Sequence, residues 1–311
     1  MSPSQCRLCK AQRLSCLGTI PDSDYFAGRV LERPIPGGKL WLCEVCRSMF
    51  RHPVLSEHQY ADLYVAGASD SWNIEGGRND LDLISAQIGQ LGDVQKILDV
   101  GCGTGGFLLT LPKSMQKFGL EPSASAAGAA RLAGVNVIGR TLADLPPGAI
   151  FDVITVIDVI EHIVNPLGLL DQAIAHLAPG GVLIVATGDP LFPPWLRIFR
   201  SRFWYSAFPE HITFLSLRVL DQWRQKHGLD RPAALRIRYR ILPAWKSCAH
   251  FCIMLVFLLS PGIFNAFARA AGRLRYGSGP RRKYFTPGAP GVFADHQVVS
   301  FVQPATQSRV S

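Results

Sequence analysis

A glycine-rich turn after an apolar segment carries the residue types of a nucleoside-binding site. Residues 97–107 read I-L-D-V-G-C-G-T-G-G-F, and an apolar helical pattern follows directly. Glycine permits positive φ angles and leaves backbone N–H groups open to a polar ligand. Glu121 closes the next apolar run, about twenty residues on, where an acid can accept hydrogen bonds from both ribose hydroxyls. The G-x-G-x-G spacing differs from the G-x-G-x-x-G of dinucleotide-binding folds, which are the first alternative.

Two C-x-x-C pairs near the start of the chain have the spacing of metal ligands. Cys6 and Cys9 form one pair, and Cys43 and Cys46 form the other. Each pair is typical of a knuckle with two thiolates, and two knuckles complete a tetrahedral zinc site with no position left for water. The gap between the pairs is long, and a β-hairpin with its turn at Gly37–Gly38 could fill it. We therefore predict a structural zinc ion, with four unrelated thiols as the alternative.

Further stretches show a resemblance to a known family. The pieces L-D-V-G-C-G-T-G, F-D-V-I-x-x-x-D-V-I-E-H and L-A-P-G-G-x-L occur in this order within residues 91–187. Their order and spacing resemble those of the class I S-adenosylmethionine-dependent methyltransferases. The resemblance implies an α/β, doubly wound Rossmann-like fold with a seven-stranded sheet. It also implies methyl transfer by in-line displacement, in which the protein aligns donor and acceptor and excludes water.

The same resemblance implies the cofactor contacts. They are Asp99, Gly101, Cys102, Gly103, Gly105, Glu121, Leu142 and Asp158. Asp99 and the glycine turn would hold the methionine part, and Glu121 would bind the ribose. The segment 141–145 would lie against the adenine, although Arg140 and Thr141 stand where family members often have an acid. Asp158 would lie near the sulfonium, where a carboxylate is favourable; capping of the next helix is an equal alternative.

The amino-terminal segment is similar to the zinc-binding head of sugar C-methyltransferases, which act on nucleotide-linked keto-deoxysugars. The pattern C-x-x-C-x-x-x-F-x-x-P at residues 43–53, followed by Tyr60 and Tyr64, carries this similarity. Similar heads occur on methyltransferases of polysaccharide gene clusters. Tyr60, Tyr64 and Trp72 could line a sugar pocket, or they could pack a linker helix on the core.

The pair Glu210 and His211 supplies the candidate catalytic groups. In the sugar C-methyltransferases the corresponding pair lies at the substrate, with the histidine as the proposed base. Methylation of carbon needs a proton removed beside a carbonyl, and a histidine titrates near the operating pH. Those enzymes have a tyrosine where this chain has Phe208, so methylation of oxygen stays open. A structural role in a lid loop is the alternative.

A second group, Asp158, Glu161 and His162, is similar to the E-x-x-E-H of ubiquinone-pathway O-methyltransferases, where a divalent metal has been proposed. The same letters are widespread in methyltransferases without metal. Packing of His162 beside the cofactor cleft is therefore the favoured interpretation.

The late part of the chain is basic and apolar. Residues 231–290 contain eleven Lys or Arg and no Asp or Glu, within a chain of net charge +9, and residues 247–268 are uncharged. This pattern favours an interfacial or re-entrant helical hairpin on an anionic membrane. A span, which needs about 20 residues, and a helix pair buried on protein or in a dimer stay open. Binding of nucleic acid is not favoured, because the apolar centre of this segment would make no favourable contact with phosphate groups.

An aromatic and basic pattern before the Glu210–His211 pair supports the membrane interpretation. Its aromatic members are Trp195, Phe199, Phe203, Trp204 and Tyr205, and its basic members are Arg197, Arg200 and Arg202.

The 311 residues divide into one large domain and smaller parts. We expect a zinc ribbon at 1–54, linker helices at 55–91, the core at 92–240 plus 295–304, the basic apolar insertion at 241–294, and a disordered tail at 305–311. Apolar runs at 97–100, 151–157 and 182–186 predict buried parallel strands, and 297–302 predicts the last strand, antiparallel. With eight cysteines and no visible signal peptide, we expect thiols or metal ligands and a cytoplasmic location, with peripheral binding to the inner face of the membrane as an alternative.

Together these features predict a methyltransferase that uses S-adenosyl-L-methionine and a structural Zn²⁺. The expected acceptor is a sugar or a lipid-linked glycan intermediate, with His211 as base. The alternatives are O-methylation of an isoprenoid or another membrane-proximal small molecule, and a non-catalytic scaffold that binds the cofactor at membranes.

Overall fold

The computed structural model describes residues 2–67, 78–189, 200–260 and 294–305, together with residues 191, 196 and 266. The amino-terminal part forms five strands. These are β1 (Leu14–Thr19), β2 (Ser23–Phe26), β3 (Arg29–Ile35), β4 (Lys39–Cys43) and β5 (Met49–His52). Strand β4 pairs antiparallel with both β1 and β5, and β2 pairs with β3 in a separate hairpin.

A hairpin does fill the gap between the cysteine pairs, but its turn is not at Gly37–Gly38. The hairpin is β2–β3, and its turn contains Ala27 and Gly28, both at positive φ. The Gly37 N–H donates to the Asp22 carboxylate at 3.0 Å, and β4 then pairs with β1. The predicted turn is therefore wrong, because these glycines connect two sheets.

The rest of the described chain continues as follows: α1 (Glu57–Val65), α2 (Asn79–Gly89), β6 (Lys96–Val100), α3 (Gly106–Thr110), β7 (Gln116–Leu120), α4 (Ala124–Leu132), β8 (Asn136–Gly139), β9 (Phe151–Ile157), α5 (Pro166–Ala175), β10 (Leu177–Gly188), α6 (Trp204–Ala207), β11 (Thr213–Phe214), α7 (Leu217–Lys226), β12 (Asp230–Ile237), α8 (Ala244–Leu259) and β13 (His296–Val302).

The central sheet has seven strands in the order β12-β13-β10-β9-β6-β7-β8. Neighbouring strands from β10 to β8 are parallel, and β13 is antiparallel to both of its neighbours. Strands β6 and β9 and the second half of β10 are buried on both faces, as their continuous apolar runs require. This arrangement confirms the predicted doubly wound fold with an antiparallel last strand. The carboxyl ends of β6, β7 and β9 meet at one edge, which is where ligands bind in such sheets.

The amino-terminal strands and the core share one sheet and one packed interior. Thr213 and Phe214 of β11 pair with Phe50 and Met49 of β5, which gives a second sheet of order β1-β4-β5-β11. Trp41 and Phe50 pack in the same apolar cluster as Leu215 and Val219 of the core. The cysteine-bearing part is therefore not separable from the core in its packing.

Helix α8 exposes apolar side chains to solvent. Trp245 is 69% exposed, Val256 50% and Leu259 85%. Within the described residues, we find no helix with both the length and the apolar character to cross a membrane. Most of the predicted insertion after Ser260 lies outside the described residues, apart from Ala266.

The aromatic and basic pattern before Glu210 does not face outward as the membrane interpretation requires. Phe203 and Tyr205 are buried, and the Arg200 side chain donates to the Cys16 carbonyl at 3.0 Å. For Phe203 and Tyr205 the prediction is wrong, because their rings pack inside the protein. Trp195, Arg197, Phe199 and the Trp204 side chain lie outside the described parts, as do Trp72 and residues 306–311 of the predicted tail.

Candidate active site

The glycine turn after β6 is held in a shape that only small residues fit. Gly101 has φ +76°, and a Cβ there would lie 2.4 Å from a methyl group of Val159. Gly103 has φ +55°, and its N–H donates to the Glu121 carboxylate at 2.9 Å. The other oxygen of Glu121 accepts from the Ser123 N–H at 2.8 Å. Glu121 is thereby fixed beside the turn, although burial raises the pKa of its carboxyl.

A cavity of about 510 Å³ opens beside Glu121. It is lined by Glu121, Pro122, Ala124, Ala127, Arg131, Val137, Ile138, Gly139, Arg140 and Asp144. The predicted adenine segment borders it through Asp144, which accepts from the N–H groups of Arg140 and Thr141 at 2.7 and 2.9 Å. The Leu142 side chain is only 3% exposed and packs in the core. Of the segment 141–145, therefore, Asp144 lines the cavity and Leu142 does not.

Asp99 is the most deeply buried acid of the predicted cofactor set. It is 4% exposed and accepts from the Thr155 hydroxyl at 2.7 Å. The pKa of Asp99 is raised to about 7. Burial is the main cause and the nearby Glu121 adds to it, whereas the hydrogen bond from Thr155 opposes the shift. Cys102 is also buried, and burial raises the pKa of its thiol. The turn thus combines backbone donors with an acid that is poorly solvated.

Asp158 forms an ion pair and does not cap a helix. It has φ +51°, a strained conformation for a residue other than glycine. Its carboxylate lies 2.6 Å from the Arg78 guanidinium, and its Oδ1 atom has no hydrogen-bond partner in the described part of the chain. The helix that follows, α5, is capped by Asn165 instead.

Arg78 is a site residue that the sequence patterns did not indicate. It is buried, and it also pairs with Asp80 and lies over the Tyr239 ring, with its guanidinium carbon 4.4 Å from the ring centroid. Burial lowers the pKa of Arg78, but the carboxylates of Asp158 and Asp80 raise it above its ordinary value. The only signal was indirect, since an acid at a strand end needs a partner that the linear sequence does not identify.

His211 lies in a buried polar cluster with His162 and Tyr205. It is 7% exposed, and its Nδ1 atom lies 2.8 Å from the carbonyl oxygen of Tyr205. A carbonyl only accepts, so Nδ1 carries the proton and Nε2 keeps its lone pair. Burial, with the nearby His162, lowers the pKa of His211 well below its ordinary value. The ring is therefore a neutral base at pH 7.

Glu210 faces the amino-terminal hairpin. One oxygen accepts from the Ala27 N–H at 2.7 Å, and burial raises the pKa of the carboxyl. The Glu210 carbonyl lies 3.1 Å from Nδ1 of His162, which is also 2.9 Å from the Tyr64 hydroxyl. The structure therefore brings Glu210 and His211 to one loop, but it gives the Glu210 side chain a contact that fixes the loop to the ribbon.

Glu161, and not Asp158, belongs to the buried cluster that contains His162 and His211. Its carboxyl accepts from the hydroxyls of Tyr205 and Thr187, and burial raises its pKa to about 7. One carboxylate oxygen of Glu161 and one ring nitrogen each of His162 and His211 lie within 4.8 Å of one another. Tyr205, a residue that the sequence patterns had suggested for a membrane surface, instead places its phenol in this buried cluster, three residues before Phe208.

The four cysteines converge as their spacing predicted. The Cys6 and Cys46 sulfurs are 3.8 Å apart, those of Cys9 and Cys43 are 3.5 Å apart, and all four lie within 4.8 Å of one another. Four sulfurs at about 2.3 Å from a tetrahedral zinc are separated by about 3.8 Å. A hydrogen bond from Cys46 lowers the pKa of Cys6 to about 5, which favours a thiolate. The donor set and its spacing fit Zn²⁺.

Comparison with known proteins agrees with this geometry. Residues 75–231, about half of the chain, match the family described as a methyltransferase domain. The chain is 33% identical over 101 residues to a ubiquinone biosynthesis O-methyltransferase of Bradyrhizobium sp. (strain ORS 278), in a match that covers 30% of this chain and 39% of that protein. The chain therefore spans about two fifths of the length of this curated relative.

Two solved structures are similar at low sequence identity. The YcgJ protein of Bacillus subtilis is 18% identical, with a TM-score of 0.45, over 72% of this chain and 97% of that one. The N-methyltransferase NodS of Bradyrhizobium japonicum WM9, in complex with S-adenosyl-L-homocysteine, is 15% identical, with a TM-score of 0.46, over 79% and 97%.

The sheet order and the domain match together define the class of protein. The chain belongs to the methyltransferase-domain family, and its seven-stranded sheet has the architecture of the class I methyltransferase fold.

The raised pKa of Asp99 predicts a pH-dependent gain in stability for Asp99→Asn. Between about pH 4 and 7 the native carboxyl keeps a proton that the unfolded chain has lost, so the native state loses relative stability as the pH rises. The variant lacks this loss. We expect its gain in the free energy of unfolding to appear above pH 4, grow up to pH 7, reach at most about 4 kcal/mol and then stay constant.

Urea titrations at several pH values, monitored by circular dichroism, measure this difference. Asp82→Asn, at an exposed acid of α2, is the matched control and should show no such gain. A gain for Asp99→Asn that did not vary between pH 4 and 8 would contradict the assignment.

Proposed function

We propose that the protein transfers the methyl group of S-adenosylmethionine to a hydroxyl or an acidic carbon of a sugar or a lipid-linked glycan intermediate, with His211 as general base. The observation that carries this proposal is the His211 ring, which is buried and neutral, with Nδ1 bonded to the Tyr205 carbonyl and Nε2 unprotonated. Such a ring can accept a proton at neutral pH without first losing one.

The charges around the glycine turn suit the amino-acid end of the cofactor. Asp99 and Asp158 supply negative charge for an ammonium and a sulfonium, and Arg78 supplies positive charge for a carboxylate. Glu121 would hold the ribose, and the cavity beside it would take the adenine. In this arrangement Gly101, Cys102 and Gly105 shape the turn, and Gly103 presents Glu121.

The acceptor would lie against the polar cluster of Tyr64, His162, Glu161 and His211. Hydroxyl and imidazole groups that are bonded to each other, as Tyr64 is to His162 at 2.9 Å, can exchange partners with the hydroxyls of a sugar. Tyr60 packs near Phe26, with ring centroids 6.0 Å apart. We assign Tyr60 to packing and Tyr64 to the acceptor side.

A second candidate is O-methylation of an isoprenoid phenol or another membrane-proximal small molecule. The names of the curated relatives, which are ubiquinone biosynthesis O-methyltransferases, favour it. The match covers 30% of this chain, so it bears on the cofactor half more than on the acceptor. A phenol needs the same base as a sugar hydroxyl, and His211 serves both candidates.

The activity predicts a specific loss for His211→Gln. With tritiated S-adenosylmethionine, we expect methyl transfer to nucleotide-linked keto-deoxysugars, lipid-linked saccharides or polyprenylated catechols, and a loss of about 10²–10⁴-fold in the variant. The binding of S-adenosylhomocysteine, measured by calorimetry, should not change. Because the His211 pKa is lowered, kcat measured at saturating S-adenosylmethionine should fall less below pH 8 than it would for a base with an ordinary histidine pKa.

His58→Gln, at an exposed helical position, is the control and should keep full activity. Cofactor binding without transfer to any of the three acceptor classes would favour a non-catalytic scaffold. Transfer that survives in His211→Gln would remove this residue from the mechanism.

We propose that the four-cysteine site binds zinc, and the sulfur geometry supports this. Native mass spectrometry should detect one zinc ion per chain. Cys43→Ser should lose it and should unfold at lower denaturant concentration, because a structural zinc contributes directly to folding. Cys16→Ser, at an exposed thiol outside the cluster, should keep the metal. A chain that folds normally without any metal would contradict the site.

Peripheral membrane contact is supported by the exposed apolar face of α8 and by the basic composition of residues 231–290. We expect sedimentation of the protein with vesicles of phosphatidylglycerol and phosphatidylcholine, and weaker sedimentation with phosphatidylcholine alone. The double change Phe251→Glu and Val256→Glu should abolish it, whereas Val30→Glu, at an exposed position of β3, should not. Equal sedimentation of all three forms would contradict a role for α8.

A further inference from the structure

Arg51 is a buried cation that belongs to the ribbon and bonds to the loop before His211. It lies on β5 and is 3% exposed. Its guanidinium donates to the carbonyl oxygens of Ser206 at 3.0 Å and Pro209 at 3.3 Å, and also to that of Phe208. These carbonyls end the short helix α6 and the turn after it, where backbone acceptors have no helical partner.

The environment of Arg51 is unusual for a buried charge. Among the described residues, no carboxylate lies within ion-pair distance of its guanidinium. Burial lowers its pKa to about 10, and the nearby Tyr60, Glu210 and Tyr64 oppose that shift. A buried charge held mainly by neutral carbonyls costs stability. Its presence therefore calls for an explanation other than stability alone.

The bonds of Arg51 surround the backbone of His211 on both sides. The Phe208 carbonyl that accepts from the guanidinium also accepts from the His211 N–H, at 3.1 Å. On the other side, the Arg51 N–H donates to the Ile212 carbonyl at 2.9 Å. The ring is fixed by the same loop, since Nδ1 of His211 bonds to the carbonyl of Tyr205. If this loop moved, the His211 ring would no longer be held in place, and Nδ1 would lose the carbonyl acceptor that keeps its proton there.

We propose that Arg51 is a positioning residue, which holds the 205–212 loop so that His211 keeps its proton on Nδ1 and its free Nε2 atom toward the acceptor. The ribbon thereby contributes to the active site through one side chain, without touching cofactor or acceptor. This inference rests on the proposed role of His211, and its first test needs no acceptor.

The test uses three variants of the full chain, purified with its metal. Arg51→Gln removes the charge and most donors, and Arg51→Lys keeps the charge with fewer, differently directed donors. Arg218→Gln is the matched control, because Arg218 also bonds across the ribbon boundary, to the Val45 carbonyl at 2.8 Å, but on α7 and away from the loop. Metal content, circular dichroism and S-adenosylhomocysteine binding are measured for all of them.

The decisive measurement is the state of the His211 ring, observed by ¹⁵N NMR of histidine-labelled protein. The chain has eight histidines, and loss of a signal in His211→Gln assigns this one. In the wild type we expect the Nδ1-protonated form across the neutral range. The groups that face the ring are His162, Tyr205, Phe208 and Phe214, with Arg51, Glu161 and His296 nearby.

In Arg51→Gln we expect a mixture of the Nδ1-protonated and Nε2-protonated forms of the ring, a change that loss of the Arg51 charge alone would not produce. Arg51→Lys should lie between, and Arg218→Gln should match the wild type. With an accepted acceptor, kcat should fall about 100-fold in Arg51→Gln and about 10-fold in Arg51→Lys, with little change in the KM for the cofactor, because misplacement by about 1 Å has that effect.

Wild-type behaviour of His211 in Arg51→Gln would overturn the proposal, as would an equal disturbance in Arg218→Gln. If Arg51→Gln does not fold, the same comparison is made with Arg51→Lys. A chain that shows the expected ring signals but transfers no methyl group would refute the proposed function and leave the positioning role intact.

Discussion

The pairing of β5 with β11 is the contact on which the acceptor side depends. A strand of two residues has few backbone bonds of its own, so β11 needs an edge to join, and β5 supplies it. The Ser216 N–H donates to the Ser48 hydroxyl at 2.9 Å, and the Ser216 hydroxyl donates to the Cys46 carbonyl at 2.5 Å. The cysteine knuckle is thus bonded to Ser216, the N-cap residue of α7, which follows β11 after one residue. Order at the four sulfurs and order at His211 are consequently parts of one structure.

The cofactor side follows a different principle, the accumulation of poorly solvated acids. Asp99, Glu121 and Glu161 are all buried, and burial raises the pKa of each. A carboxyl in this state is paired most favourably with a cation that enters from solution. In the proposed function the ammonium and sulfonium of the cofactor would be those cations. The demethylated product lacks the sulfonium charge, so the same acids would favour its release over that of the donor.

What the sequence could predict was set by how local each signal is. The glycine turn, the run 151–157 and the last strand depend on neighbours in the chain, and they lie where the patterns indicated. Arg78 and Arg51 act on residues far from them in sequence, Asp158 and Phe208, so no spacing could reveal them. The spacing of apolar residues also does not tell which other element a given face packs against.

The loop before β11 and the glycines before β4 show the same limit. Phe203 and Tyr205 alternate with arginines as a surface pattern would, yet both rings are buried. Gly37–Gly38 has the composition of a hairpin turn, but the strands on either side of it belong to different sheets. Strand β4 pairs with β1 and not with β3, and this pairing depends on residues farther away in the sequence than those of a turn motif.

The place from which the insertion leaves the sheet connects its composition to the site. Ile237 of β12 and Gly188 of β10 both pair with His296 of β13, so the chain departs and returns at the edge where the parallel strands end. His296 lies 3.8 Å from Asp158, and the Tyr239 ring lies over Arg78. The insertion therefore starts beside Asp158, one of the acids proposed to face the cofactor, on the edge that also carries the His211 loop. An apolar and basic segment rooted there, if it binds a membrane surface as proposed, would bring the methyl donor to that surface without any change in the sheet.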